Sequence, residues 1–359
     1  MQPWRERWIT VRNRCLGSAR FQRFAADFPL TRPIARARAR GLFDIVAGFV
    51  YSQVAFACVE MKLLDKLSGG PLPADAIAGQ IGLPIDRALV LLKAAASLGL
   101  VEALANGRYA LGAAGAALLG NPGVAEMIVH HRHLYGDLAD PVALLRAPRG
   151  GGALAGYWPY DAADSARVAE YTALMAASQP MLAGQIIDAY PFARHRRLLD
   201  IAGGEGVFVE TVATRVPGLG FELLDLPAVA ERAAARLGAR ATVHGGSFIT
   251  DALPTGADLI TLVRVAHDHD DEVVMALLRK IHDALPPGGV CLIAEPMAGT
   301  PGAEPIGAAY FGFYLLAMGS GRPRTAAELT AMLRAAGFAS VRHVPTRTPL
   351  IVQVLAATV

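Results

Sequence analysis

LLDIAGGEGVF (Leu198–Phe208) passes from a short apolar run through a glycine-rich turn into a second apolar run. That order predicts a buried strand, a tight turn and the start of a helix. The alternation continues through GFELLDLP, ATVHGGSF, ADLITLVRV and GGVCLIAEP, and closes with SVRHVPT and PLIVQVLAA. Apolar strands separated by amphipathic helices predict an α/β fold of Rossmann type, a mostly parallel sheet with helices on both faces. Ligands of such sheets bind beyond the carboxyl ends of the strands, which places a cofactor at the turn between Asp200 and Gly206. Asp225, ending the second strand, stands where a carboxylate accepts hydrogen bonds from two ribose hydroxyls. The turn fails the dinucleotide pattern GxGxxG: from Gly203 the third position is Glu205, and from Gly204 the last is Val209. A nicotinamide cofactor is therefore disfavoured.

The 359 residues suit two domains, and an apolar share of 53% without low-complexity tracts favours a compact protein over disorder. Cys15, Cys58 and Cys291 are dispersed and form no CxxC, which fits reduced thiols in a cytoplasm better than a disulfide framework or a zinc ribbon. The opening MQPWRERW has no apolar signal core. Leu42 to Val59 is interrupted by Asp44, Ser52 and Gln53, so a buried helix is expected there rather than a membrane span.

Charge is concentrated at the start. Ten arginines from Arg5 to Arg40 face only Glu6 and Asp27, so the first 40 residues carry +8 and the remainder −5, within a net charge of +3. On a helix, Trp4, Trp8, Val11 and Cys15 would share one face with arginines around it. This composition suits a peripheral contact with an anionic membrane and equally a solvated helix packed onto the body by its tryptophans; both readings stay open. The acidic remainder argues against a nucleic-acid surface.

Between Gly70 and Leu111, two short helical patterns separated by GLPID precede a hairpin signal at Asn106-Gly107, the outline of a winged helix. A DNA-reading helix needs side chains for bases and phosphates, yet Ile85 to Leu98 offers only Asp86, Arg87 and Lys93. The apolar helices point to dimerisation instead. Farther on, MIVHHRHLYGDLADPVALL and YTALMAASQPMLAGQIIDAY are helical in period. His130, His131 and His133 have no neighbouring carboxylate or cysteine to complete a ligand set, so pocket lining or helix surface is expected and no metal. The chain thus divides into a basic amphipathic segment (1–40), a mainly helical winged-helix-like dimerisation domain (41–125), connecting helices (126–190) and a cofactor domain (191–359).

LLDIAGGEGVF, ELLDLPAV, GGSF, LVRVAHDHDDE, LIAEPMAG and GRPRTAAELTAMLRAAGF occur in the order seen in S-adenosylmethionine-dependent O-methyltransferases of the caffeic-acid type, and from Gly41 onward the chain resembles that family. The resemblance implies a class I methyltransferase fold, S-adenosyl-L-methionine as cofactor and a homodimer. It implies cofactor contacts at Asp200, Gly203, Asp225, Leu226, Ser247, Phe248 and Arg264. The finer text of residues 20–54, 133–148 and 171–181 is similar to the branch that methylates hydroxylated acyclic carotenoids, which implies a hydrophobic substrate. A small phenol, the usual acceptor of the family, and a non-catalytic cofactor-binding protein are the alternatives.

Within the family pattern LHDWDDE, His267 takes the position of the catalytic base and His269 stands where tryptophan is usual. Asp270, Asp271 and Glu272 fall at a helix start, where capping of backbone N–H groups is expected rather than metal binding. Glu295, after the fifth strand, matches the family carboxylate that orients the imidazole and stabilises its cation. Two departures stand out. Pro323 in GRPRT replaces the second glutamate of the family's GKERT, and Ser247 replaces the aspartate of its GDMF or GDFF at the adenine edge. Tyr310, Tyr314 and Met318, on a segment resembling the family's substrate-facing helix, are candidate lining residues together with Met175. Aromatics and methionines at helical spacing also make ordinary core.

Overall fold

The computed structural model describes residues 3–148, 152–157 and 165–359, without the side chains of residues 3, 157, 165–175 and 177; the Met175 side chain therefore lies outside the described residues. The chain forms two compact units, Met1–Ala117 and Leu118–Val359.

The first unit begins with three helices, α1 (Pro3–Leu16), α2 (Ala19–Asp27) and α3 (Arg32–Glu60). Ser18 caps α2, its hydroxyl accepting from the Phe21 N–H. Helices α4 (Leu63–Leu67), α5 (Ala74–Ile81) and α6 (Ile85–Ser97) follow, with a small antiparallel sheet of β1 (Leu72–Pro73), β2 (Val101–Ala103) and β3 (Arg108–Leu111) in the order β1-β3-β2. Asn106 and Gly107, at φ 62° and 69°, both enter the left-handed region that a tight hairpin requires. They pair Ala103 with Tyr109.

Helix α3 corrects the expectation of a buried helix. It forms where the apolar run predicts, but Cys58 is its one buried residue, and Leu42, Phe43, Ile45 and Phe49 are 63–80% exposed. Core formation in this unit starts at Cys58, Leu63, Leu64 and Leu67, and α3 is half-covered only over its C-terminal part, from about Tyr51 to Val59. By length and composition alone, α3 is long and apolar enough to cross a membrane.

Helix α7 (Ala113–Leu119) leads into the second unit, where α8 (Pro122–Asp137), α9 (Pro141–Arg146) and α10 (Ser165–Ala189) precede the sheet. Strands β4 (Arg197–Ile201), β5 (Gly220–Asp225), β6 (Thr242–Gly245), β7 (Leu259–Val263) and β8 (Val290–Glu295) run parallel, and β9 (Ser340–Val344) and β10 (Gln353–Thr358) close the sheet in the order β6-β5-β4-β7-β8-β10-β9. β10 alone runs opposite to the other six strands. The connecting helices are α11 (Val207–Arg215), α12 (Pro227–Leu237), α13 (Asp271–Ala284), α14 (Phe311–Met318), reached through a π-helical turn at Ile306–Tyr310, and α15 (Ala326–Ala335). This is the class I methyltransferase fold.

Successive strand residues point to opposite faces, and both sets are apolar because helices cover both faces. Leu198, Leu223, Leu259 and Leu292 pack on one side with Phe208, Val212 and Ile186. Leu199, Ile260, Leu262 and Ile293 pack on the other with Val274, Leu278, Ile281 and Leu333. Leu278→Ala, in the second layer, is expected to cost about 2–5 kcal/mol through lost contact and a residual cavity. Val90→Ala, at a 67% exposed position, should stay within about 0.5 kcal/mol. Urea unfolding midpoints of the two variants test this difference.

Candidate active site

Strand order reverses between β4 and β7, the switch point at which parallel sheets open a crevice. Their carboxyl ends bring Asp200, Asp225, residues 245–248, Arg264, His267 and Glu295 to one edge. Two non-glycine residues there, Ala202 after β4 and Arg264 after β7, adopt left-handed backbone at φ 53° and 57°. Such strain costs about 1–3 kcal/mol per residue and collects where a site demands it.

Asp225 is held by two backbone donors, Gly204 N–H to Oδ2 and Leu226 N–H to Oδ1, each at 2.7 Å. Burial pushes its pKa up to about 6, although those two N–H groups and Arg232 pull it down. The clamped carboxylate retains lone pairs for two hydroxyls, so these residues fit the ribose of the expected cofactor. Asp200 lies under the turn: the Thr261 hydroxyl donates to Oδ1 at 2.6 Å, Oδ2 has no partner among the described residues, and burial raises the pKa to about 7. A Cβ on Gly203 would fall 2.6 Å from that Oδ2 and 2.7 Å from the Leu223 side chain, so the turn closes over Asp200 only with glycine.

The Arg264 guanidinium turns to α10, donating to Ser178 Oγ at 2.8 Å and Gln179 Oε1 at 2.5 Å. In the loop after β6, Ser247 Oγ accepts from Ile249 N–H, and Ser247 N–H donates to Asp251 Oδ2 at 2.8 Å. A carboxylate is thus present beside the position where the family aspartate is missing, four residues downstream in sequence. Lys280 steadies this loop by donating to the carbonyls of Phe248, Ile249 and Asp251. Phe248 meets the ring of His269 edge-on at 5.2 Å.

His267 is nearly buried between two carboxylates. Its Nδ1 lies 3.3 Å from Glu295 Oε2, which also accepts the His267 backbone N–H at 3.1 Å, and its Nε2 lies 3.1 Å from Asp268 Oδ1. Burial alone would depress the imidazole pKa. The charges and hydrogen bonds of Asp268 and Glu295 outweigh it and carry the value to about 10, so the ring is cationic near neutral pH. Glu295 is fully buried, and its Oε1 has no partner among the described residues.

Two of the three helix-start carboxylates, Asp270 and Asp271, are spent differently from the capping expected of them. Asp270 occupies the N-cap position of α13 without a side-chain cap bond and accepts from Gly321 N–H instead. Asp271 binds both Arg322 and Arg324. Arg324, fully buried, also donates to the carbonyls of Ala266 and His269 at 2.6 and 2.8 Å. A guanidinium fork gives a carboxylate charge-assisted bonds that single backbone donors cannot match, and this one fastens GRPRT around the His267 loop. Among the described residues, no group of three His, Cys, Asp or Glu side chains is placed to share a metal.

Tyr314 and Met318 pack in a core cluster with Leu134 and Leu154, while Tyr310 lies at the edge of that cluster. Phe311, one residue along, brings its ring centroid to 5.8 Å from that of His267. The sequence reading therefore has no site role for Asp268, Asp271, Arg324 or Asp251. For Asp268, adjacency to His267 was an available signal; the other contacts depend on loops that meet only in the fold.

Comparison with known proteins finds an O-methyltransferase domain model matching residues 135–339 and an O-methyltransferase dimerisation domain model matching residues 43–121. The chain is 42% identical over 359 residues to the demethylspheroidene O-methyltransferase of Cereibacter sphaeroides, covering 96% of this chain and 93% of that one. Against the protein of the same name from Rhodobacter capsulatus, identity is 43% over 367 residues, covering 99% and 91%. Human N-acetylserotonin methyltransferase, solved in complex with S-adenosylmethionine, superimposes with a TM-score of 0.76 at 23% identity, over 89% of this chain and 97% of that one, a likeness of fold.

Two outcomes follow from this geometry. A folded-state pKa of about 10 against an ordinary 6.5 makes the His267 contribution to stability fully present below pH 6.5 and lost as pH rises through 10. The thermal midpoint of wild type relative to His267→Asn should therefore fall by several degrees across that interval. Asp251→Ala should weaken S-adenosylmethionine binding about tenfold by calorimetry, through release of the loop at Ser247.

Proposed function

Because this chain belongs to the family of S-adenosylmethionine-dependent O-methyltransferases, we propose that it methylates the tertiary hydroxyl of an acyclic carotenoid of the hydroxyneurosporene or demethylspheroidene type. The observation that carries this reading is similarity at 42–43% identity along nearly the whole chain to two demethylspheroidene O-methyltransferases. The dimerisation-domain match and the exposed apolar face of α3 support a homodimer. The same substrate suits a cytoplasmic enzyme at a lipid surface, and the arginine-rich residues 1–40 with exposed Trp4 and Trp8 are the proposed peripheral contact.

Bound S-adenosylmethionine supplies an electrophilic methyl group on a sulfonium. Asp225 and the Gly203-Gly204 turn would hold its ribose, and residues 247–251 with Phe248 its adenine. The acceptor hydroxyl loses a proton as its C–O bond forms. A tertiary alcohol is less acidic than a phenol, with its pKa of about 10, so proton transfer accompanies or follows attack rather than preceding it. Nε2 of His267 is the proposed recipient. Asp268 sits at that nitrogen, so the hydroxyl must take its place there. As Asp268 gives way it carries off the Nε2 proton; loss of that flanking charge lowers the basicity of the ring and leaves it neutral, with Nε2 open to receive the hydroxyl proton. Glu295 stays at Nδ1 and stabilises the imidazolium. Positioning in a dry site then contributes more of the rate than base strength.

Transfer of labelled methyl from S-adenosylmethionine to a hydroxylated acyclic carotenoid in detergent, with a catechol in parallel, tests this reading. Wild type should label the carotenoid, and His267→Ala should reduce that labelling by about 10²–10⁴-fold. Labelling of the catechol alone would move the acceptor to the phenols.

A further inference from the structure

Two hydrogen bonds tie α8 to the helix beside His267. His131 Nε2 lies 2.8 Å from the Tyr310 hydroxyl, and His130 Nε2 lies 2.8 Å from the Tyr314 hydroxyl. Tyrosines four residues apart share one helical face, whereas adjacent residues diverge by about 100°, so the neighbouring histidines straddle a single tyrosine stripe. Burial lowers both imidazole pKa values, that of His130 to about 4 with help from His133 and His131, and burial holds the Tyr310 phenol protonated. The His131–Tyr310 contact is thus a bond between neutral groups inside the protein, where leaving either unpaired is costly.

Tyr310 ends the π-helical turn and Phe311 opens α14. The Phe311 ring stands edge-on to Tyr310 at 5.0 Å and 5.8 Å from the imidazole of His267. At the other end of the turn, a Cβ on Gly307 would fall 2.6 Å from the Cα of Ala298, three residues beyond Glu295. Turns of π type are rare and are retained largely at functional sites. This one is wedged against the exit of β8 and held at its far end by α8.

We infer that His131, seconded by His130, is a positioning residue for methyl transfer: its bond to Tyr310 holds the π-helical turn so that Phe311 covers the imidazole of His267 and keeps water from it. The inference rests on the reading of His267 as proton acceptor. It is tested in the full chain with His131→Phe, His131→Gln, Tyr310→Phe and the double variant His131→Phe/Tyr310→Phe, by acceptor kcat and KM, cofactor dissociation constant and thermal midpoint.

His131→Phe and Tyr310→Phe should each lower kcat about tenfold with cofactor affinity unchanged. The double variant should fall no further than either single one, because both remove one bond. His131→Gln, which retains a polar group for the phenol, should recover most of the rate. Wild-type kcat in His131→Phe overturns the inference, and so does a loss that His131→Gln fails to recover or that is matched by an equal loss of cofactor affinity. His267→Ala, measured alongside, separates the two levels: retained turnover there overturns the reading of His267 as proton acceptor, whatever the His131 variants do.

Discussion

The candidate active site depends on one buried electrostatic arrangement, an imidazole between two carboxylates at the carboxyl edge of a parallel sheet. Taking His267, Asp268 and Glu295 out of water together is favourable only because each charge meets its opposite at hydrogen-bond distance. The surrounding structure is organised to keep it so. Glu295 reaches Nδ1 from the end of β8, and GRPRT fastens the loop bearing His267 through Arg324 and Asp271. Removing the imidazole would leave two carboxylates buried without their shared cation, so the cluster depends on His267.

Beside this cluster, the candidate cofactor edge is built from backbone. Asp225 is aimed by two N–H groups, and the residues that follow β4 and β7, Ala202 and Arg264, turn the chain in left-handed backbone. The departures from the family pattern fall into this frame. Asp251 brings a carboxylate to the loop where Ser247 lacks one. Pro323 lies between two arginines that hold the His267 loop, so this segment contributes anchorage here without the family's second glutamate.

The sheet was legible in sequence because buried strands must be apolar on both faces, and the strand-end positions of Asp225, His267 and Glu295 followed from that order together with the family resemblance. What escaped depends on partners distant in sequence. Nothing local to Asp271 announces arginines 51 and 53 residues away, and a helix start looks alike whether its carboxylates cap it or bind elsewhere. His130 and His131 look like a stray cluster until Tyr314 and Tyr310 arrive from 184 and 179 residues downstream. The apolar run of α3 was legible as a helix. Hydropathy does not say whether the covering surface belongs to the same unit, and most of this helix is uncovered.

The charge state of the central imidazole is open to direct measurement. Nitrogen-15 labelling of the histidine rings, with the His267 signals assigned by difference from His267→Asn, reports protonation at Nδ1 and Nε2 across a pH titration of the ligand-free protein. The account predicts an imidazolium with both nitrogens protonated at pH 8 and losing a proton only toward a pKa of about 10. A neutral ring at pH 8, titrating near the ordinary 6.5, would contradict the arrangement of Asp268 and Glu295 from which the rest is argued.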